Sequence, residues 1–128
     1  MADPAIFYTG WLLDLRDRER LLRLIPPRYP DVVAEHVTLK FGDTTARPRT
    51  ETYGEVVGMA DDGKGVQALV VAIGYDGTHR PDGGTFHITW SLGPGRTAVE
   101  SNNVIHDQGW TPFPAALAVR LEPRTFDH

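Results

Sequence analysis

Two short stretches of this 128-residue chain put a histidine and a threonine two residues apart with apolar neighbours: His36-Val37-Thr38-Leu39 and His87-Ile88-Thr89-Trp90. Side chains alternate across an extended backbone with period two. In the first stretch His36, Thr38 and Lys40 therefore share a polar face, and Val37, Leu39 and Phe41 an apolar one. In the second, Thr85, His87, Thr89 and Ser91 oppose Phe86, Ile88, Trp90 and Leu92. Such a pair suits hydrolysis of a phosphodiester. Water needs a base to take its proton, and the departing oxygen needs an acid. Histidine, with an ordinary pKa near 6.5, serves as either. A threonine about 6–7 Å along the same strand can hold a non-bridging phosphate oxygen while its histidine addresses an apical one. No metal is required for that arrangement.

A single His-x-Thr strand is also what an ordinary half-buried strand carries, because β-branched residues favour strands. The weight lies in two copies with matched facing, the one internal echo in the chain. The rest of the pattern supplies elements to hold them. Residues 5–13 are apolar on both faces and predict a central strand. Asp17 can cap a short helix to about Ile25, with Leu21, Leu22 and Ile25 on one side and Pro26 and Pro27 as the stop. Strands are expected at 36–41, 53–59, 66–73, 85–92 and 115–121. The DDGKG sequence between 53–59 and 66–73 signals a hairpin. The PPRYPD segment, 26–31, and residues 42–51 and 74–84 read as loops, and 93–113 as mostly loop with one helical turn near Ala98–Val104. Strands outnumber helices, so the expected class is α+β with a mainly antiparallel sheet, in one domain over 1–128.

Net charge is −4, and no basic stripe of the kind that tracks a long duplex is visible. The expected partner is a nucleotide or a short RNA end. No apolar run approaches bilayer length, and the N-terminal sequence lacks a signal-peptide pattern. With no cysteine, disulfides and thiolate chemistry are excluded. The expectation is a cytoplasmic monomer that works without a cofactor. P-loop, GxGxxG and GxSxG motifs are absent. A zinc site from His36, His79, His87 and His106 is the metal alternative, but none of them has HExxH spacing, so no metal is expected. His106 and His128 have no motif partner.

The paired His-hydrophobic-Thr-hydrophobic tetrads resemble the mark of the 2H phosphoesterase superfamily, which includes 2′,3′-cyclic phosphodiesterases of the 2′-5′ RNA ligase type. The broader run from FYTGWLLD through HVTLKFG to HITWSL is similar to small bacterial and phage proteins grouped there. The resemblance implies a compact bilobed fold around a central cleft. It makes His36 and His87 acid and base, and Thr38 and Thr89 the phosphate-holding hydroxyls. It implies a metal-independent phosphodiesterase opening 2′,3′-cyclic phosphates. A 3′-5′ phosphodiesterase acting on cyclic dinucleotides or oligonucleotides is the alternative, and a binding module without turnover a third. Further substrate contacts expected around the cleft are Lys40, Ser91, Arg80 from the 74–84 loop, and Tyr8 or Trp11 as a base-stacking aromatic. Ser101, Asn102 and Asn103 are read as a nucleobase contact or a turn cap. The short interval between the histidines implies trimmed lobes, with the 53–73 hairpin filling the gap. Trp90 stands where the family more often has an aliphatic residue.

Overall fold

The computed structural model describes residues 7–41 and 49–127, and at positions 7, 8, 40, 41, 126 and 127 the backbone alone. The start of the first expected strand, most of the 42–51 loop and His128 lie outside the described residues. The elements are β1 (Phe7–Leu13), α1 (Leu15–Leu24), β2 (Asp31–Val32), β3 (His36–Phe41), β4 (Tyr53–Asp61), β5 (Val66–Ala72), β6 (His87–Leu92), α2 (Glu100–Gln108) and β7 (Thr111–Asp127). A 3-10 turn, Gly74–Asp76, follows β5.

The strands run in the order β6-β3-β1-β7-β4-β5, and β5 pairs back onto β6. One antiparallel sheet thus closes into a six-stranded barrel, with β2 as an extra piece on β6. The α+β class and the antiparallel sheet are as expected. The strand order describes one closed sheet and does not by itself divide the chain into two lobes.

Each barrel strand contributes to one large core cluster: Trp11, Val37, Val56, Leu69, Val71, Ile88, Trp90, Val119 and Leu121 among them. Closing the sheet gives every strand an inward face, and this is why alternation was readable in β3 and β6. Helix α1 seals the cluster with Leu21. Its cap is Asp14, whose carboxylate accepts the N–H groups of Arg16 and Asp17, so the helix starts earlier than Asp17. Asp17 is freed for other bonds and accepts the N–H of Arg120 at 2.7 Å. The opposite face of β5 carries Ala68 and Val70, which join Val104 and Ile105 of α2 in a second cluster.

Three differences from the sequence reading have physical causes. Strand β7 runs 17 residues rather than seven, although it contains Pro112, Pro114 and Pro123. Proline argues against a central strand because it cannot donate to a ladder, yet β7 pairs β4 with its first part and β1 with its last. Helix α2 is a nine-residue helix, not one turn. Glu100 accepts the Thr97 N–H at 2.6 Å, half of a Thr-x-x-Glu capping box. The segment expected as loop before β3 contains β2, because Asp31 and Val32 pair with Leu92 and Ser91.

Candidate active site

Strands β3 and β6 meet through one register pair, Val37 with Ile88. Extending that antiparallel register by one residue each way sets His36 beside Thr89 and Thr38 beside His87. All four lie on the face opposite the Val37–Ile88 core contact. The two tetrads are thereby related by an approximate two-fold axis through that pair. His36, Thr38, His87 and Thr89 together line one cavity of about 300 Å³, which Arg80, Asp82, Ala98, Val99 and Asn102 complete.

A bulge aims β3. Val33 and Ala34 donate to the carbonyls of Trp90 and Thr89, but Val37 already pairs with Ile88, so two extra residues intervene. Ala34 takes a left-handed backbone, φ 45°, at a cost of about 1 kcal/mol for a non-glycine residue. Arg18 of α1 fixes the bulge by donating to the Ala34 carbonyl at 2.8 Å. His36 emerges directly from it, with Nδ1 3.4 Å from the Glu35 carboxylate, a partner for the imidazolium form.

His87 is held differently. Its Nδ1 lies 2.8 Å from the Thr85 carbonyl. A carbonyl only accepts, so Nδ1 carries the proton and Nε2 is the basic atom of the neutral ring. Burial pushes the His87 pKa below the ordinary value. The Thr85 bond opposes this, while the positive charges of Arg80 and His36 add to it. His87 is therefore a neutral base at pH 7. Its contribution to stability is complete above its unfolded value near 6.5 and is lost as pH falls through the lower folded value. Thermal melts between about pH 7 and 5 should show wild type losing stability that His87→Asn keeps. Parallel curves would contradict the assignment.

Arg80 reaches the cavity from a tight loop. Its N–H donates to the Gly84 carbonyl and Gly83 donates back to the Arg80 carbonyl. Asp82 accepts both Arg80 Nε at 2.8 Å and the Gly84 N–H at 2.9 Å, and Asn102 Oδ1 accepts Arg80 Nη2 at 3.1 Å. The side chain is 12% exposed. Gly84 has no Cβ where one would sit 2.5 Å from Nη2, so glycine is the bed on which the guanidinium lies. Nη1 and one Nη2 hydrogen remain uncommitted among the described residues. Burial alone would raise the Asp82 pKa, but the Arg80 and Gly84 bonds outweigh it and hold the carboxyl below its usual range.

Thr89 is tied to α2. Its hydroxyl lies 2.9 Å from Ser101 Oγ and 3.3 Å from the Ala98 carbonyl. Ser101 is fully buried. The sequence puts Ser101 in a loop as a base contact or cap, whereas the structure puts it beneath Thr89. The Thr97-x-x-Glu100 box is the signal that would have placed it on a helix. Asn102 lines the cavity but spends its amide on Arg80 and the Val99 carbonyl.

Several expected contacts fall elsewhere. Ser91 is fully buried away from the cavity, bonded to Gln67 at 2.6 Å and to the Tyr29 N–H, because β2 and β5 cover that end of β6. Trp11 is core, its indole N–H donating to the Glu51 carbonyl, and Trp90 is core too, donating to the Ile25 carbonyl. The side chains of Tyr8 and Lys40 lie outside the described residues. His79 forms an isolated bridge with Thr85 behind the site, and His106 is exposed on α2. Among the described residues no group of three or more histidines or carboxylates is placed to hold a metal ion.

No family model, curated protein or solved structure matches this chain. The cavity's own chemistry must therefore carry the functional argument. No helix among the described residues is long and apolar enough to cross a membrane.

Proposed function

We propose that the chain is a phosphodiesterase of the 2H type that opens 2′,3′-cyclic phosphates on nucleotides or RNA ends. The observation that carries this is the gathering of both histidines and both threonines around one cavity, symmetrically about Val37 and Ile88. The neighbouring strands β3 and β6 each bring one His-x-Thr pair to the phosphate.

His87 Nε2, neutral at pH 7, takes a proton from water as its oxygen attacks phosphorus. The P–O bond to the ribose breaks, and His36, as the acid of the pair, gives a proton to the departing oxygen. Proton exchange with solvent resets the pair. Thr38, Thr89 and Arg80 donate to the non-bridging oxygens, where negative charge grows in the transition state. Ser101 has no other hydrogen-bond acceptor among the described residues, so it donates to Thr89 Oγ1. The Thr89 proton, which meets the Ala98 carbonyl at 3.3 Å, turns from that carbonyl to phosphate.

Ser101→Ala is expected to raise KM about fivefold, the worth of one hydrogen bond, with a smaller change in kcat. An unchanged KM in a folded variant would remove Ser101 from the site.

A second cavity of about 240 Å³ shares Arg80, His87 and Asn102 with the first and adds Gly83, Thr85, Asn103 and His106. This favours, as a second reading, a diester that joins two nucleosides through a 3′-5′ linkage. A panel of 2′,3′-cyclic mononucleotides, cyclic dinucleotides and short RNAs separates the two by product. Saturable binding of every member without product would leave a binding module instead.

A further inference from the structure

Among the described residues lining the first cavity, Arg80 is the one cation other than histidine, and Asp82 lies in the same lining. Asp82 Oδ1 is 2.8 Å from Arg80 Nε, so the guanidinium charge is largely answered before any ligand arrives. An acid–base histidine pair carries one proton in its working state. Among the described residues lining the cavity, Arg80, Asp82 and that proton sum to a single positive charge; Glu35, outside the lining and 56% exposed, stands 3.4 Å from His36 Nδ1.

We propose that Asp82 is a specificity-determining residue that matches the cavity to singly charged phosphodiesters and disfavours doubly charged phosphomonoesters. The inference rests on the phosphodiesterase reading and extends it to product release. A diester carries one negative charge, while a monoester approaches two near neutral pH. Hydrolysis adds the second charge in a cavity whose lining includes the Asp82 carboxylate. Asp82 then repels the product that its own site has just made. Loop geometry alone asks only for a hydrogen-bond acceptor at position 82, because Arg80 Nε and the Gly84 N–H both bond Oδ1. A carboxylate also answers the charge of the mostly buried guanidinium, and it sets a negative charge in the lining of the cavity.

Asp82→Asn keeps the Oδ1 acceptor and removes the charge. Coulomb energy scales with ligand charge, so a roughly tenfold gain in affinity for a dianion corresponds to about threefold for a monoanion. The experiment is an NMR titration of wild type, Asp82→Asn and Asp82→Ser at low ionic strength and about pH 8, with inorganic phosphate and with dimethyl phosphate. Both variants should bind inorganic phosphate roughly tenfold more tightly and dimethyl phosphate about threefold. Inhibition of diester turnover by phosphate should strengthen in parallel. Equal gains for the two ligands, or none, overturn the proposal. If neither variant folds, wild type still decides it: tighter binding of the phosphate dianion than of dimethyl phosphate is the contrary result. Turnover of a diester without the Asp82 shift removes this inference and spares the enzymatic reading. The shift without any diester turnover does the reverse.

Discussion

His87→Asn should lower kcat/KM on a 2′,3′-cyclic phosphate by about 10²–10⁴-fold, the usual worth of a placed acid or base. Asparagine keeps an N–H within reach of the Thr85 carbonyl, so the buried acceptor that His87 Nδ1 now meets at 2.8 Å stays satisfied. What it lacks is the basic Nε2. His36→Ala should cost a similar factor by removing the proton for the leaving oxygen. The two losses should not multiply, because the residues act on one transition state. In wild type the acidic limb of the kcat/KM profile should fall below pH 6.5, since burial, Arg80 and His36 all favour the neutral ring. His87→Asn should erase that limb from whatever activity remains. Near wild-type rates in either variant, on a substrate the wild type demonstrably cleaves, would remove that histidine from catalysis.

The site was half visible in the sequence for a definite reason. Period-two alternation reports which side chains share a strand face, and it assigned His36, Thr38, His87 and Thr89 to matched faces that do border one cavity. Alternation says nothing of what covers a face further along. Ser91 shares the polar face of β6 with His87, yet Gln67 and the Tyr29 N–H close over it. The supports of the site come from tertiary contacts. Asn102 and Asp82 fix Arg80, and Ser101 fixes Thr89, across 12 to 22 residues or within a two-residue turn.

The fold shows the same division. The β4–β5 hairpin was legible because Asp61 and Asp62 bond the backbone N–H groups of Gly63, Lys64 and Val66 within the turn. Helix α2 was not, because its apolar stripe amounts to Val104 and Ile105 and its cap is supplied by Glu100 rather than by a preceding Ser or Asp. Closure of the barrel, β5 onto β6, is a long-range pairing that no local pattern announces. It buries β6 on both faces, which is why His87 and Thr89 are only 9% and 8% exposed although their strand reads as half polar.

The largest effect on stability is expected at Gly10, which no chemical argument singles out. The β1–β3 register shifts between Thr9 and Gly10, and β1 there lies so close to β3 that a Cβ on Gly10 would fall 2.0 Å from the Val37 carbonyl oxygen. The obstacle is backbone, with Thr38 Cα 3.0 Å away as well, so no side chain can swing aside. Gly10→Ala must therefore separate the strands at the one place where β3 also meets β6. A cost of about 3 kcal/mol is expected, the upper range for forced overpacking, or roughly 10–15 °C in Tm. Gly63 supplies the contrast. It has positive φ, 69°, but open space around the position of a Cβ, so Gly63→Ala should cost about 1 kcal/mol, from backbone preference alone. Because Val37 sits between His36 and Thr38, the Gly10 variant should also lose activity at temperatures where it stays folded. A displacement of about 1 Å in a catalytic group is worth about 10²-fold in rate, and the Gly63 variant should retain wild-type kcat/KM. Thermal melts and assays on the two variants check both statements. A Gly10→Ala protein melting within about 3 °C of wild type would mean that the β1–β3 contact is looser than its geometry states.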